Sequence, residues 1–182
     1  MKEKFLKKAI FIDRDGVINV EKDYLYKVEN FEFISGVFEA LRAFQEKGYL
    51  LFIITNQSGI GRGYYKLEDF KALTLWMLEE FEKENIHIAQ VEYCPHAPTQ
   101  QCKCRKPNTG MIDNILKKHC IDLENSWLIG DKSSDIECAR NAKIKNTIQV
   151  KSGHSFDESA SKADFVCETI FESIEIVDSK KS

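Results

Sequence analysis

Ala9-Ile-Phe-Ile-Asp-Arg-Asp-Gly-Val-Ile-Asn19 is the stretch that decides the fold. Its apolar residues predict a short buried strand, which stops at Asp13 and is followed by a second carboxylate at Asp15 and a turn residue at Gly16. Open α/β sheets place their chemistry at the carboxyl ends of such strands. Residues two apart on an extended chain face the same way, so both carboxylates can point into one crevice. Because two like charges this close repel, the pair predicts a bound cation or a retained proton. Taken alone, the pair also fits a plain turn, since Asp and Gly are common turn formers.

Apolar runs and segments of helical period alternate along the rest of the chain. Further strands are predicted at 49–54, 88–93, 127–130, 147–150 and 164–166, and helices at 36–47, 67–84, 109–119, after Ser133 or Ser134, and at 168–177. The polar segment Glu21 to Phe33 is predicted to be a long functional loop. This alternation predicts an α/β fold with a doubly wound, mainly parallel sheet flanked by helices.

Length and charge set outer limits on the function. A chain of 182 residues suits one domain, so a single domain is predicted over residues 1–182. The formal net charge is −3, from 26 basic and 29 acidic residues, which gives no global bias toward nucleic acid. The apolar run at 9–12 breaks at Asp13 and is too short for a signal peptide or a membrane span. We therefore expect a cytoplasmic protein without a nucleic-acid or membrane partner.

Polar residues end three of the predicted strands, and a lysine follows a structured loop: Asp13 with Asp15, Thr55 with Asn56, Asp131, and Lys106. In a parallel sheet such strand ends lie along one edge, so residues far apart in sequence can converge. The set resembles the haloacid dehalogenase superfamily, whose motifs are an Asp-x-Asp pair, a Ser or Thr after a second strand, a Lys, and an acidic motif after a later strand. Here the acidic motif is Asp131 with Asp135. The resemblance implies a haloacid dehalogenase-like Rossmannoid phosphatase domain with a minimal cap.

The roles follow from what the hydrolysis of a phosphate ester needs, which is an in-line nucleophile, charge compensation and a proton for the leaving group. Asp13 is predicted to be the nucleophile that becomes an aspartyl-phosphate, and Asp15 the acid and base. Thr55 and Lys106 are predicted to bind the phosphoryl oxygens. A Mg²⁺ ion is predicted to be shared by Asp13, the backbone carbonyl of Asp15, and Asp131.

A second group of candidate ligands lies between residues 94 and 104. Cys94-Pro-His96 and Cys102-Lys-Cys104 form a Cys₃His set suited to tetrahedral Zn²⁺, and four protein ligands leave no open position for water. The predicted zinc-binding loop is therefore structural, and we expect it to aim the adjacent Arg105 and Lys106 at the substrate. The other cysteines are predicted to be core thiols, and His154 receives no role.

Several stretches together resemble one branch of the superfamily, the D-glycero-D-manno-heptose 1,7-bisphosphate 7-phosphatases. These are Asp-Arg-Asp-Gly, Thr-Asn-Gln-Ser-Gly-Ile-Gly-Arg-Gly, Cys-Pro-His with Cys-Lys-Cys-Arg-Lys-Pro, and Ile-Gly-Asp-Lys. The resemblance implies a sugar bisphosphate substrate, heptose 1-phosphate as a product on the route to nucleotide-activated heptose, and substrate contacts by Arg14, Glu21, Lys22, Asp23, Tyr24, Asn56, Gln57, Ser58, Arg105 and Lys132. Arg105 is physically suited to a second phosphate, because its planar fork can bind two oxygens.

Three alternatives stay open at this point. The five residues between His96 and Cys102 match the related histidinol-phosphatases, whereas Ser58 and Arg62 favour the heptose branch. A receiver-like domain, which stores a phosphoryl group on its Asp, shares the Asp, Thr and Lys set. A zinc-bearing interaction module with a degenerate site is the third. We expect a monomeric enzyme that acts on the beta anomer, although no motif distinguishes the two anomers.

Overall fold

Six parallel strands form one sheet in the computed structural model, which describes residues 5–179. In chain order they are β1 (Ala9–Ile12), β2 (Leu50–Asn56), β3 (Ile88–Cys94), β4 (Trp127–Gly130), β5 (Asn146–Val150) and β6 (Phe165–Cys167). Their order across the sheet is β3-β2-β1-β4-β5-β6. The predicted α/β, doubly wound, parallel fold is thereby confirmed. Residues 1–4 and 180–182, which the single-domain prediction includes, lie outside the described residues.

Helices cover both faces of the sheet. They are α1 (Val37–Glu46), α2 (Ser58–Gly61), α3 (Leu67–Lys83), α4 (Gly110–Leu116), α5 (Ser133–Asn141) and α6 (Ser173–Ser179). Since side chains alternate along a strand, β1 sends Ile10 and Ile12 into a core shared with α1, α3 and α6. Ala9 and Phe11 face the opposite core, which α4 and α5 close. Burial on both faces explains why β1 is apolar at every position.

The structure corrects several predicted boundaries. β2 continues through Asn56, because that residue pairs with Cys94 of β3. The one-turn helix α2 was not predicted from the glycine-rich stretch that it occupies. The helix after β4 is capped at Lys132, whose backbone N–H donates to Asp135, rather than at Ser133 or Ser134. The last helix begins at Ser173 rather than at 168.

The sheet order reverses direction between β1 and β4. From β1 the chain moves outward to β2 and β3, and it then returns to the other side of β1 to form β4, β5 and β6. Ligands of open α/β sheets bind at such a switch point, outside the carboxyl ends of the strands. Asp13 and Asp131 directly follow these two strands, and the Asp13 N–H donates to the Ile129 carbonyl at 3.0 Å. Between β1 and α1 only a short 3₁₀ turn (Val28–Asn30) stands where a cap would be inserted.

Within residues 5–179, no helix has both the length and the apolar composition that crossing a bilayer demands.

Candidate active site

Asp13 and Lys106 form the centre of the site. The Asp13 carboxylate is almost entirely buried, and the Lys106 ammonium lies 3.1 Å from its Oδ1 and 2.6 Å from Oδ1 of Asp135. The ammonium also donates to the Ile54 carbonyl at 3.0 Å, which fixes it against the end of β2. Burial lowers the pKa of the Lys106 ammonium, but Asp13 and Asp135 outweigh that effect and raise the pKa above its usual range. Lys106 is therefore a permanent cation beside Asp13.

Asp131 provides an oxygen that suits a metal ion. Its Oδ2 accepts hydrogen bonds from the His154 backbone N–H at 2.9 Å and from His154 Nδ1 at 2.7 Å. Its Oδ1 is buried and has no hydrogen-bond partner within the described part of the chain. Oxygens of Asp13, Asp131 and Asp135 lie within 4.8 Å of one another. Buried carboxylates without compensating charge are costly, and their hard oxygens are the ligands that Mg²⁺ prefers.

Both carboxylate oxygens of Asp135 have partners within the protein, so this residue holds Lys106 in place and is less suited to bind a metal ion. Its Oδ1 is paired with the Lys106 ammonium, and its Oδ2 accepts the Lys132 backbone N–H at 3.1 Å. Burial raises the pKa of the Asp13 carboxyl well above its usual value, and Asp135, Asp131 and Asp15 add to this effect while Lys106 opposes it. A divalent cation would relieve this repulsion, so the donor set fits Mg²⁺.

Two glycines press against the Asp131 carboxylate. A Cβ on Gly16, which has a φ of +86°, would lie 2.6 Å from Oδ2 of Asp131. A Cβ on Gly153 would lie 2.2 Å from the same oxygen. Neither glycine therefore has room for a side chain while the Asp131 carboxylate stays where it is.

Asp15 is held as an ionised carboxylate. Its Oδ1 accepts from Arg14 Nη2 at 2.9 Å and from Asn19 Nδ2 at 3.1 Å, and its Oδ2 accepts from Gln57 Nε2 at 3.0 Å. Burial raises the pKa of Asp15, but the charge of Arg14 and these three donors outweigh it, so the net pKa lies below the usual value. Asp15 is therefore deprotonated at neutral pH, the form that can accept a proton.

A cleft of about 260 Å³ opens above these carboxylates. The predicted residues that line it are Asp13, Asp15, Glu21, Asp23, Tyr24, Asn56, Gln57, Ser58, Arg105, Lys106 and Lys132. Glu21 is partly buried there, and burial raises the pKa of its carboxyl. Arg105 contributes Nη1, a buried nitrogen with no hydrogen-bond partner between residues 5 and 179. The cleft thus combines cations with carboxylates, as an anionic substrate rich in hydroxyls requires.

Four predicted residues do not line this cleft: Arg14, Lys22, Thr55 and Asp131, although an oxygen of Asp131 lies within 4.8 Å of one of Asp13. Arg14 is only 1% exposed and lies behind Asp15, where it also donates to the Leu25 carbonyl at 3.2 Å. Lys22 turns outward to the Asn30 carbonyl and to Glu32. Thr55 is buried beneath the cleft, where its hydroxyl accepts from Gln57. The structure therefore places Arg14 and Lys22 away from the position that a direct substrate contact needs.

Other residues that line the cleft were not among the site residues predicted from the sequence, namely Leu25, Gly59, Arg62, Tyr65, Ser134 and His154. His154 had a usable signal, because it follows the carboxyl end of β5 and so lies at the same edge of the sheet as Asp131. Arg62 lies over the ring of Tyr24, 5.9 Å from its centroid. Tyr65 had no comparable signal, because its place depends on how the segment after α2 folds back.

The Cys₃His set comes together beside the cleft. Sγ of Cys94 lies 3.0 Å from Sγ of Cys104, 3.7 Å from Sγ of Cys102 and 3.5 Å from Nδ1 of His96. Tetrahedral zinc with sulfur ligands at about 2.3 Å sets neighbouring sulfurs about 3.8 Å apart, which Cys94 and Cys102 match, whereas Cys94 and Cys104 lie closer together. Three thiols and one imidazole within 4.8 Å of one another are a donor set that suits this ion. All six cysteines are free thiols.

This cluster is connected to the site through the backbone. The Cys94 carbonyl accepts the Gln57 N–H at 2.7 Å, and Asn56 Oδ1 accepts the Lys106 N–H at 3.1 Å. The Arg105 N–H points to Cys102 Sγ at 3.4 Å. A metal ion held here would therefore fix the segment that carries Arg105 and Lys106.

Comparison with known proteins adds a family to this geometry. A family model described as HAD-hydrolase-like, where HAD denotes haloacid dehalogenase, matches residues 103–175. The D-glycero-alpha-D-manno-heptose-1,7-bisphosphate 7-phosphatase of Campylobacter jejuni is 50% identical over 143 residues, which are 79% of this chain and 82% of that protein. The D-glycero-beta-D-manno-heptose-1,7-bisphosphate 7-phosphatase of Pasteurella multocida is 40% identical over 97% of this chain and 100% of its own length.

A solved structure agrees with these relatives. The D,D-heptose 1,7-bisphosphate phosphatase from B. bronchiseptica, complexed with magnesium and phosphate, superposes with a TM-score of 0.81 at 25% identity. The match covers 95% of this chain and 99% of that chain.

Proposed function

The chain belongs to the family of D-glycero-D-manno-heptose-1,7-bisphosphate 7-phosphatases, and on that premise we propose that it hydrolyses the 7-phosphate of D-glycero-D-manno-heptose 1,7-bisphosphate. The products are inorganic phosphate and heptose 1-phosphate, the precursor of a nucleotide-activated heptose. The observation that carries this proposal is the convergence of Asp13, Asp15 and Lys106 in one cleft that Arg105 and Lys132 also line, with an Asp131 oxygen within 4.8 Å of one of Asp13.

Asp13 acts as the nucleophile. One of its carboxylate oxygens attacks phosphorus, the bond between phosphorus and the C7 oxygen breaks, and an acyl phosphate forms on Asp13. Water then attacks the phosphorus of this intermediate, which releases phosphate and restores the carboxylate. Lys106 and the Thr55 hydroxyl bind the phosphoryl oxygens during both steps. Asp13 and Asp131 would hold a Mg²⁺ ion, which would compensate the negative charges of the nucleophile and the phosphate.

Asp15 moves the protons in both steps. It donates a proton to the departing C7 oxygen and later accepts one from the attacking water. The empty site favours its ionised form, which suits the second step. An arriving phosphate raises its pKa, because a nearby like charge disfavours the carboxylate, and this prepares Asp15 for the first step.

The rest of the cleft binds the sugar and its second phosphate. Arg105 offers an unpaired buried nitrogen and Lys132 an exposed ammonium, both suited to the phosphate at carbon 1. Glu21 and Asp23 lie where they can accept hydrogen bonds from sugar hydroxyls.

The test of the function is a comparison of kcat/KM for four substrates in the presence of Mg²⁺. These are the alpha and beta anomers of D-glycero-D-manno-heptose 1,7-bisphosphate, heptose 7-phosphate and histidinol phosphate. We expect one of the two bisphosphates to give the highest value, and a higher value for histidinol phosphate would contradict the proposal. The preference for the beta anomer stays a prediction, since relatives named for either anomer are similar to this chain. Steady release of phosphate would also exclude a receiver-like domain that only stores the phosphoryl group.

Replacing Arg105 by alanine is expected to lower kcat/KM for the bisphosphate about 10- to 100-fold, because a charge-assisted contact to the second phosphate is lost. Heptose 7-phosphate lacks that phosphate, so its kcat/KM should change little. Lys103→Ala is the matched control, because Lys103 is an exposed cation in the same loop. An equal loss on both substrates would contradict the assignment of Arg105 to the second phosphate.

Removing zinc is expected to lower the turnover of the bisphosphate and the thermal stability together, because the loop that carries Arg105 and Lys106 is no longer fixed. Cys102→Ser should remove bound zinc, as measured by elemental analysis, whereas Cys120→Ser lies outside the cluster and should keep one ion per chain. Chelator-treated protein is assayed with excess Mg²⁺, so that only the loss of zinc is measured. Unchanged turnover in zinc-free protein would refute this role.

The monomeric state and the cytoplasmic location that were predicted from the sequence stay predictions. Gel filtration with light scattering and fractionation of cells respectively test them.

A further inference from the structure

The side-chain amide of Gln57 forms its hydrogen bonds with other residues of the protein, which leaves none for a ligand. Its Nε2 lies 3.0 Å from Oδ2 of Asp15 and 2.8 Å from the Thr55 hydroxyl, and its Oε1 lies 2.5 Å from the Tyr65 hydroxyl. An ionised carboxylate only accepts hydrogen bonds, so the nitrogen of the amide must face Asp15. Both hydrogens of Nε2 then have acceptors inside the protein, and Gln57 has no hydrogen left to donate to a substrate.

Tyr65 holds the amide in this orientation. Its hydroxyl donates to Oε1 of Gln57, so the oxygen end of the amide is satisfied on the side away from Asp15. The Tyr65 ring is 6% exposed and stacks on the ring of Tyr26 at a centroid distance of 5.3 Å. The Gln57 backbone is held as well, through its N–H to the Cys94 carbonyl. Gln57 itself is 3% exposed, so the whole unit is rigid and largely dry.

The arrangement also determines where the Thr55 hydrogen points. Since the Thr55 oxygen accepts from Gln57, its own hydrogen is directed elsewhere. A phosphoryl group bound above Asp13 is the acceptor that the proposed mechanism supplies. One amide therefore orients both the proton-transfer group and a phosphate-binding hydroxyl.

From this geometry we infer that Gln57 and Tyr65 are positioning residues of the phosphatase reaction, which set the orientation of Asp15 and Thr55, and that Gln57 is not the substrate contact predicted from the sequence. The inference rests on the proposed phosphatase function. It differs from a substrate contact in its kinetic effect, because a positioning residue acts on kcat whereas a binding contact acts on KM.

The test uses Gln57→Met, Tyr65→Phe and the control Tyr26→Phe in the full chain with both metals present. Gln57→Met keeps the length of the side chain and adds no charge but cannot donate to Asp15 or Thr55, so kcat should fall about 100-fold with KM within about twofold. Tyr65→Phe removes one hydrogen bond and should lower kcat about three- to tenfold. Tyr26→Phe removes a hydroxyl from the stacked partner ring and should leave kcat unchanged.

Each variant is assayed on heptose 1,7-bisphosphate and on phenyl phosphate, which offers no sugar hydroxyls. Positioning of Asp15 and Thr55 predicts a loss of kcat by a similar factor on both substrates. A raised KM on the bisphosphate alone, with unchanged kcat, would assign Gln57 to sugar binding and overturn the inference. So would variants that match the wild type on both substrates. If the wild type fails to hydrolyse the bisphosphate but hydrolyses phenyl phosphate, the proposed substrate is wrong while the inference is still tested on phenyl phosphate.

Discussion

Asp13→Asn is expected to lower the rate of phosphate release at least about 10⁴-fold, because an amide oxygen is a poor nucleophile and cannot carry the phosphoryl group as an acyl phosphate. The measurement is single-turnover release of phosphate from the bisphosphate with saturating Mg²⁺. Wild-type protein quenched during turnover should carry acid-stable phosphate on Asp13, and the variant should carry none. Turnover of the variant within tenfold of the wild type would refute the covalent mechanism.

The same substitution is expected to stabilise the metal-free protein at neutral pH. Burial raises the pKa of Asp13 above its ordinary value of 3.8, so the folded state resists ionisation of this group. A group whose pKa is raised by folding contributes fully to the stability of the protein below its pKa in the unfolded state. That contribution is lost as the pH rises through its pKa in the folded state. The melting temperature of Asp13→Asn relative to the wild type should therefore increase from about pH 4 upward, in the absence of metal. If the melting temperature of Asp13→Asn were below that of the wild type at every pH, the inactivity of the variant would be due to a damaged fold.

Lys106→Met is expected to lower stability, the opposite of Asp13→Asn, and to have a smaller effect on activity. The ammonium is 2% exposed and is paired with both Asp13 and Asp135, so its removal leaves buried carboxylates without compensation. Breaking such a pair costs about 3–5 kcal/mol in the free energy of unfolding. Loss of a cation at the phosphoryl oxygens should lower kcat about 10²- to 10³-fold.

Urea unfolding at pH 7 measures this cost, with Lys103→Met as the exposed control in the same loop. The double variant Asp13→Asn/Lys106→Met removes one of the uncompensated charges, so it should be more stable than Lys106→Met alone. Equal stability of Lys106→Met and the wild type would show that the ion pairs of Lys106 with Asp13 and Asp135 contribute nothing to the free energy of unfolding.

The features that were predictable from the sequence are those encoded by local pattern. The apolar run before Asp13 and its repeat before Asp131 place both carboxylates at strand ends, and a parallel sheet brings such ends together whatever lies between them. The spacing of Cys94, His96, Cys102 and Cys104 predicts a cluster because the four ligands are close along the chain.

The features that escaped prediction depend on long-range packing. Arg14 stands between the two carboxylates of the motif, and its buried side chain donates to Asp15 and to the Leu25 carbonyl, a contact that depends on how the segment after the strand folds back over it. From the sequence, Gln57 is a polar residue of a phosphate-binding turn. Its role in the protein becomes visible only when Tyr65, which follows α2, is found to donate a hydrogen bond to its Oε1. His154 needs β5 to be placed beside β4 before its contact with Asp131 can be inferred.

Gly16 and Gly153, which lie beside Asp131, have no side chain that could react, yet we expect substitutions there to be as harmful as substitutions of the reacting residues. At either position the first carbon of any side chain would have to occupy the volume of the Asp131 carboxylate itself. In a library of single substitutions scored for turnover, positions 16 and 153 are therefore expected to be as intolerant as position 13, with alanine already sufficient to inactivate the enzyme.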